Sequence, residues 1–184
     1  IFPLPITMTT AIAIKLEDGG PIFYSSYRVG QYGKKFKMYK FRSMSINADK
    51  LETSLTEEQQ AQYRKEYKIH NDQRVTKVGK FIRKYSIDEL PQLFNILKGE
   101  LSFIGPRPVL DEETRLYGDK RDLLLSVRPG LTGYWQAYGR NNITYENGER
   151  QAMELYYIEH FSWWFNVKIF FRTIKAVVTA EGAE

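Results

Sequence analysis

Two adjacent carboxylates, Asp88 and Glu89, stand in the stretch Ser86-Ile87-Asp88-Glu89-Leu90-Pro91-Gln92. Ser86 and Glu89 have the spacing of a capping box, which would make the pair a plain helix start. Pro91 speaks against that frame. Counted from Ser86 as the cap, it falls at the fifth helical position, where its missing N–H and its ring both cost stability. Counted from Asp88 as the cap, it falls at the third position, where no intrahelical donor is needed. In either frame Asp88 lies at the positive end of a helix dipole, which favours its ionised form and makes the same place hospitable to phosphate. A helix cap and a catalytic carboxylate both remain open readings.

The second chemical signal is cationic. Arg28–Arg42 carries six basic residues and no acid, and Arg74–Lys84 is a second basic run. Such runs are most simply solvated faces. Arg107 between Pro106 and Pro108, and Arg128 before Pro129-Gly130, are different, because each is held on a stiff loop. A guanidinium so held loses little freedom when it forks onto phosphate. The chain has no P-loop, no dinucleotide fingerprint and no Ser-His-Asp order. His70 and His160 have no ligand partner at a useful spacing, and with no Cys at all, thiol nucleophiles, disulfides and Cys-ligated zinc are excluded.

These groups must be positioned by the elements around them. Thr7–Leu16 reads as a short apolar helix that Pro5 stops from continuing upstream, and Ile22–Tyr24 as a strand after the Gly19-Gly20-Pro21 turn. Phe36, Met38 and Phe41 between Lys37, Lys40 and Arg42 suggest a half-buried strand with cations on its other face. Ala48–Lys68 is an exposed helix or helix pair without chemistry. Val75–Lys84 is a basic amphipathic helix, and a further helix runs from about Asp88 to Lys98, before Gly99. Gly105–Pro108 is a rigid loop and Arg128–Arg140 another. Phe161–Ala180 is a long helix. Its aromatic residues fit either a core or, with Lys168, Arg172 and Lys175 beside them, an interfacial helix.

The 184 residues suit one domain with a substantial core, at 42% hydrophobic, and exclude a disordered tail. The 27 Lys+Arg exceed the 22 Asp+Glu by five, and 15% of residues are aromatic, a balance suited to work at a membrane surface. No stretch reaches the ~20 apolar residues that crossing a bilayer takes. The uncharged Ile1–Ile14 is broken by Pro3 and Pro5 and lacks the marks of a signal peptide. The chain begins inside this run without a Met, and the expectation is a piece whose membrane-proximal residues are missing.

The strings GGPIFYSSYRVGQYGKKFKMYKFRSM, NDQRVTKVGKFIRKYSIDELPQLFNILKGELSFIGPRPVL, RPGLTGYWQAYGRN and ELYYIEHFSWWFNVKIFFRTIKAVV together resemble the bacterial sugar transferases, monotopic phosphoglycosyl transferases that act on polyprenyl phosphate. The resemblance runs from about Leu4 to Thr179 in the family's order. It implies transfer of a hexose-1-phosphate from a UDP-sugar, with galactose or glucose the foremost donors, to undecaprenyl phosphate, releasing UMP. This would open the membrane stage of exopolysaccharide, capsule, O-antigen or glycoconjugate synthesis. By the same resemblance Asp88 is the nucleophile that forms an aspartyl-phosphosugar intermediate. Glu89 assists the second half-reaction, and Asp88, Glu89 and Glu154 make up the Mg²⁺ set. Glu154 stands where some members carry Asp. Lys40 and Arg107 map near phosphate or nucleotide, and Arg128 and Arg140 join them as substrate-binding residues. Two departures stand out: Leu4-Pro5 occupies the place of the family's Ser-Pro membrane break, and Gln73 stands where many members have Pro.

The resulting expectation is an α+β fold, one small domain over 17–184 with short antiparallel strands and amphipathic interfacial helices. Residues 1–16 would be the remnant of a re-entrant membrane helix. Its partners would be a UDP-sugar, undecaprenyl phosphate and the cytoplasmic face of the bacterial inner membrane, with no nucleic acid and with room for a homo-oligomer. The competing reading from another class is a basic nucleic-acid-binding module. It leaves Asp88-Glu89 unexplained, and the positive runs carry no recognisable reading motif. An inactive membrane-assembly scaffold of the same fold is the third reading, against which the intact carboxylate pair stands.

Overall fold

The computed structural model describes residues 4–50, 54–67, 69, 71–139, 143 and 145–179. These fall into two compact units, one drawn from Ile1–Tyr24 and Tyr39–Pro91, the other from Ser25–Met38 and Gln92–Gly182. Helices with short strands make the fold α+β, as expected.

The first unit begins with α1 (Leu4–Asp18). Pro5 lies in its first turn, where the missing N–H is not needed, so it does not delay the helix as the sequence suggested. Ile14 is buried, whereas Leu4, Ile6, Met8, Ile12 and Leu16 are exposed. Among the described residues no helix is long and apolar enough to cross a membrane. The helix is tied down at its C-terminal end, where Arg42 Nη1 donates to Asp18 Oδ2 at 2.6 Å and Arg42 Nε to the Pro21 carbonyl at 2.6 Å. That guanidinium holds the Asp18 carboxyl down at about 2.

Strands β1 (Phe23–Val29) and β2 (Lys35–Phe41) form a two-stranded sheet. A connection this short can only make them antiparallel. Their turn uses left-handed backbone at Tyr32 and Gly33. Phe36 and Met38 are buried as the alternation predicts, whereas Phe41 is buried from the opposite face of the strand, with Ile14 and Ile82. The cations do not all take the opposite face: Arg42 is buried on Asp18, and Lys40 follows Met38 by two residues and so leaves β2 on the Met38 side of the pleat.

Helix α2 (Glu57–Glu66) starts with a Thr56/Gln59 capping box and buries nothing. Helix α3 (Lys77–Lys84) is capped by Thr76, whose Oγ1 accepts the Gly79 N–H at 2.9 Å. A 3-10 helix, Ile87–Gln92, follows. Neither capping frame survives, because Ser86 takes a left-handed φ of 54° and turns the chain into the tighter helix instead. In that geometry Ile87 and Leu90 eclipse and pack together against the core of Ile14, Phe41 and Ile82.

The second unit contains α4 (Leu93–Leu97), β3 (Ser102–Ile104), α5 (Arg121–Leu125), β4 (Gly130–Thr132), α6 (Tyr134–Tyr138), α7 (Glu149–Glu159) and α8 (Trp163–Val178). Within the expected loop Arg128–Arg140, the described residues thus hold a strand and a helix. Strand β4 pairs with β3 in parallel, Ser102 opposite Gly130 and Ile104 opposite Thr132, which corrects the all-antiparallel expectation. The crossover between them, residues 105–129, is long enough to return the chain in the same direction. Phe36, Met38 and Leu101 form one core cluster, and Ala137, Tyr157 and Ile169 another. Helix α8 buries only Ile169 and Ala176 and exposes Trp163, Trp164, Phe170 and Phe171.

Candidate active site

The carboxylate pair sits in the first unit, on the 3-10 helix whose Ile87 and Leu90 pack against the core. Lys40, at the end of β2, reaches it: Nζ lies 2.7 Å from Glu89 Oε1 and 4.0 Å from Asp88 Oδ2. Asp88 is only 7% exposed. Burial pushes its carboxyl up to about 6, with Glu89 adding to the rise and Lys40 and Arg83 opposing it. At neutral pH the group is therefore ionised yet poorly solvated. That is the state in which a carboxylate is a usable nucleophile.

Arg83 was not singled out by the sequence. Half-buried in α3, it donates from Nε to Ser43 Oγ at 2.8 Å. Desolvation pulls its pKa down, and Asp88 is the neighbour that does most to offset this. Its position depends on how closely α3 approaches the strand end. A Cβ on Gly79 would stand 1.9 Å from the Ser43 carbonyl oxygen, so only glycine allows this approach. The Thr76 N–H donates to that same carbonyl at 3.1 Å. In the sequence Arg83 is one more cation on a basic helix. Its signal is its place four residues after Gly79 on the same helical face.

In the second unit, Arg107 stands in the Gly105–Pro108 loop as expected. The loop is locked to β4 by backbone bonds, Gly105 N–H to Thr132 O at 2.9 Å and Gly130 N–H to Pro106 O at 2.8 Å. A Cβ at Gly130 would fall 2.1 Å from Gly105 N, and one at Gly133 2.1 Å from Gly105 O. The GPRP and RPGLTG strings are therefore two faces of one backbone contact that admits no side chain. Arg128 is exposed. Arg140 lies outside the described residues.

Glu154, from α7, is completely buried and accepts the Arg107 N–H on both oxygens at 3.1 Å. Burial pushes its carboxyl up to about 7 against the pull of Arg150 and Arg107. These surroundings suit an anchor for the loop better than a metal ligand. Among the described residues no three of His, Cys, Asp and Glu gather as a metal-ligand set. The adjacent Asp88 and Glu89 do fit the one or two carboxylates that Mg²⁺ takes when substrate phosphates supply its other oxygens.

The chain as a whole is similar to known proteins. An undecaprenyl-phosphate galactose phosphotransferase of Salmonella typhimurium is 44% identical over 169 residues, 90% of this chain and 35% of that protein. The exopolysaccharide production protein ExoY of Sinorhizobium fredii is 41% identical over 182 residues, 97% of this chain and 80% of the relative. A UDP-N-acetylgalactosamine-undecaprenyl-phosphate N-acetylgalactosaminephosphotransferase of Aeromonas hydrophila is 40% identical, over 97% of this chain and 40% of its own length. The chain thus spans 35% of the Salmonella protein and most of ExoY. The profile of one family, described as bacterial sugar transferase, matches residues 1–180. Its span takes in the buried carboxylate beside Lys40 and the glycine-locked arginine loop alike, and the chain belongs to the bacterial sugar transferases.

Proposed function

We propose that the chain is the catalytic part of an enzyme that moves a hexose-1-phosphate from a UDP-sugar to undecaprenyl phosphate and releases UMP. The observation that carries this reading is the buried Asp88 beside Lys40, Glu89 and Arg83. The names of the Salmonella and Aeromonas relatives support the acceptor and make UDP-galactose the first donor to try, with UDP-N-acetylgalactosamine next.

In the first half-reaction an Asp88 carboxylate oxygen attacks the phosphorus next to the sugar, and the bond from that phosphorus to the UMP oxygen breaks. UMP departs, and the sugar phosphate stays on Asp88 as an acyl phosphate. In the second, a phosphate oxygen of undecaprenyl phosphate attacks the same phosphorus and Asp88 leaves as a carboxylate. Lys40 and Arg83 stabilise the charge that develops on the transferring phosphoryl oxygens. Arg107 on its stiff loop, with Arg128, binds the donor's phosphates or nucleotide. Mg²⁺ held by Asp88 and Glu89 would supply neutralisation of the diphosphate. The lipid acceptor gives a reason for the unburied apolar residues of α1 and the exposed aromatics of α8, which we assign to the cytoplasmic membrane surface.

The test is UMP release by the full-length protein in membranes, screened over UDP-sugars with Mg²⁺. UDP-sugar alone should yield about one equivalent of UMP per enzyme, and polyprenyl phosphate should make release continuous. Release that depends strictly on the lipid would replace the two-step mechanism with direct transfer.

A further inference from the structure

Behind Arg107 lies a cluster of charged residues that the mechanism does not use. Arg150, in the first turn of α7, is 4% exposed, and Glu113 and Tyr145 are as deeply buried. The guanidinium is clamped between two rings, its carbon 4.1 Å from the Trp135 centroid and 4.0 Å from that of Tyr145. Its Nε and Nη2 meet no acceptor among the described residues. Tyr145 in turn donates its hydroxyl to Glu113 at 2.7 Å.

A buried cation with two free donors is expensive unless fixed charges compensate it. Glu154, one turn along α7, and Glu113 both do so, and Arg107 opposes them. On a solvated helix a basic residue four before an acidic one is the weaker order and would contribute little. Here the pair is out of water, where the same charges act far more strongly. Arg150 and Glu154 stand one turn apart on one face of α7, and both oxygens of the carboxyl are aimed at the Arg107 N–H.

We propose that Arg150 is a positioning residue for the Gly105–Pro108 loop. Held by Trp135 and Tyr145, it fixes Glu154 as the acceptor of the Arg107 N–H and so sets where the Arg107 side chain stands. The inference leans on the proposed function only in taking Arg107 as a donor-binding group.

Two readouts on the full-length protein test it. The first is independent of activity: in Arg150→Met, amide exchange at residue 107 should speed up about tenfold, the loss of one charge-assisted hydrogen bond. The second is a double-mutant cycle in the UDP-sugar KM. Arg150→Met and Arg107→Ala should each raise it about tenfold with a smaller change in kcat, and the double variant should be no worse than the poorer single one. Unchanged exchange at residue 107, or additive losses, would overturn the proposal. If Arg150→Met does not fold, Arg150→Gln also removes the charge and the planar cation while keeping a polar end in the site. The same two measurements on that variant then decide the proposal, with the same results for and against it. Wild-type protein without UMP release would sink the proposed function and leave the exchange result to decide this one.

Discussion

At the scale of the residue, Asp88 pits stability against chemistry. Burial raises its pKa to about 6, so the folded protein binds a proton there more tightly than the unfolded chain does. That contribution favours folding below the ordinary aspartate value and is lost as pH rises through about 6. Asp88→Asn should therefore abolish transfer, by at least ~10³-fold, and leave the protein equally or more stable at pH 7. The stability gain should be about 1–3 kcal/mol at pH 7 and disappear below pH ~4, read by denaturant titration at both pH values. A variant that turns over would remove Asp88 from the nucleophile's role, and one less stable than wild type at pH 7 would overturn the stability argument. In the metal-free protein Asp88 takes up its proton as pH drops through about 6, and Mg²⁺ on the pair would favour the carboxylate, so the acid limb of transfer should lie below that value. Arg83 favours the ionised form, so Arg83→Met should move that acid limb to higher pH and slow transfer by ~10²-fold. A wild-type limb in that variant would show that Arg83 does not act on Asp88.

At the scale of the element, the close approach of α3 to Ser43 connects packing to the site. Gly79→Ala improves helix propensity by about 1 kcal/mol, yet its new methyl would collide with backbone that has no rotamer to yield. The collision should win, with a net loss of ~1–3 kcal/mol and a fall in Tm of several degrees. Because Arg83 is on the same face one turn later, transfer should drop further than the loss of folded protein explains, as seen when activity is normalised to the folded fraction. The α3 and α8 helices were legible because apolar spacing announces a buried face. The 3-10 helix at Ile87–Gln92 was not, since it depends on a left-handed Ser86 that residue types do not advertise. Strand β4 was hidden for a related reason: three residues among glycines make a strand only when β3 pairs with them.

At the scale of the whole molecule, the site residues divide by how their signal is written. Asp88, Glu89, Lys40 and Arg107 belong to strings whose order along the chain is distinctive. Arg83 and Arg150 look like ordinary helix cations; burial, which periodicity does not encode at single positions, sets Arg150 apart, and the Ser43 bond and nearby Asp88 set Arg83 apart. The same limit left α8 open between a core and an interfacial helix. Its structure has a narrow face, Ile169 and Ala176, packed inward and a broad one, Trp163, Trp164, Phe171, Ile174 and Val178, left exposed, the last at 73%. An apolar stripe of that breadth is a poor surface for water alone and a suitable one for the acyl boundary, with Lys168 and Lys175 exposed beside it for anionic headgroups. Trp164→Ser with Phe171→Ser should therefore weaken binding of the 184-residue chain to anionic vesicles by ~10-fold per ring, a conservative share of what full burial of each is worth. Tm in the absence of vesicles should stay unchanged, because neither ring is buried in its own unit. A fall in Tm with vesicle binding intact would instead make the stripe a packing face, and the exposed residues of α1 would then have to carry the membrane contact alone.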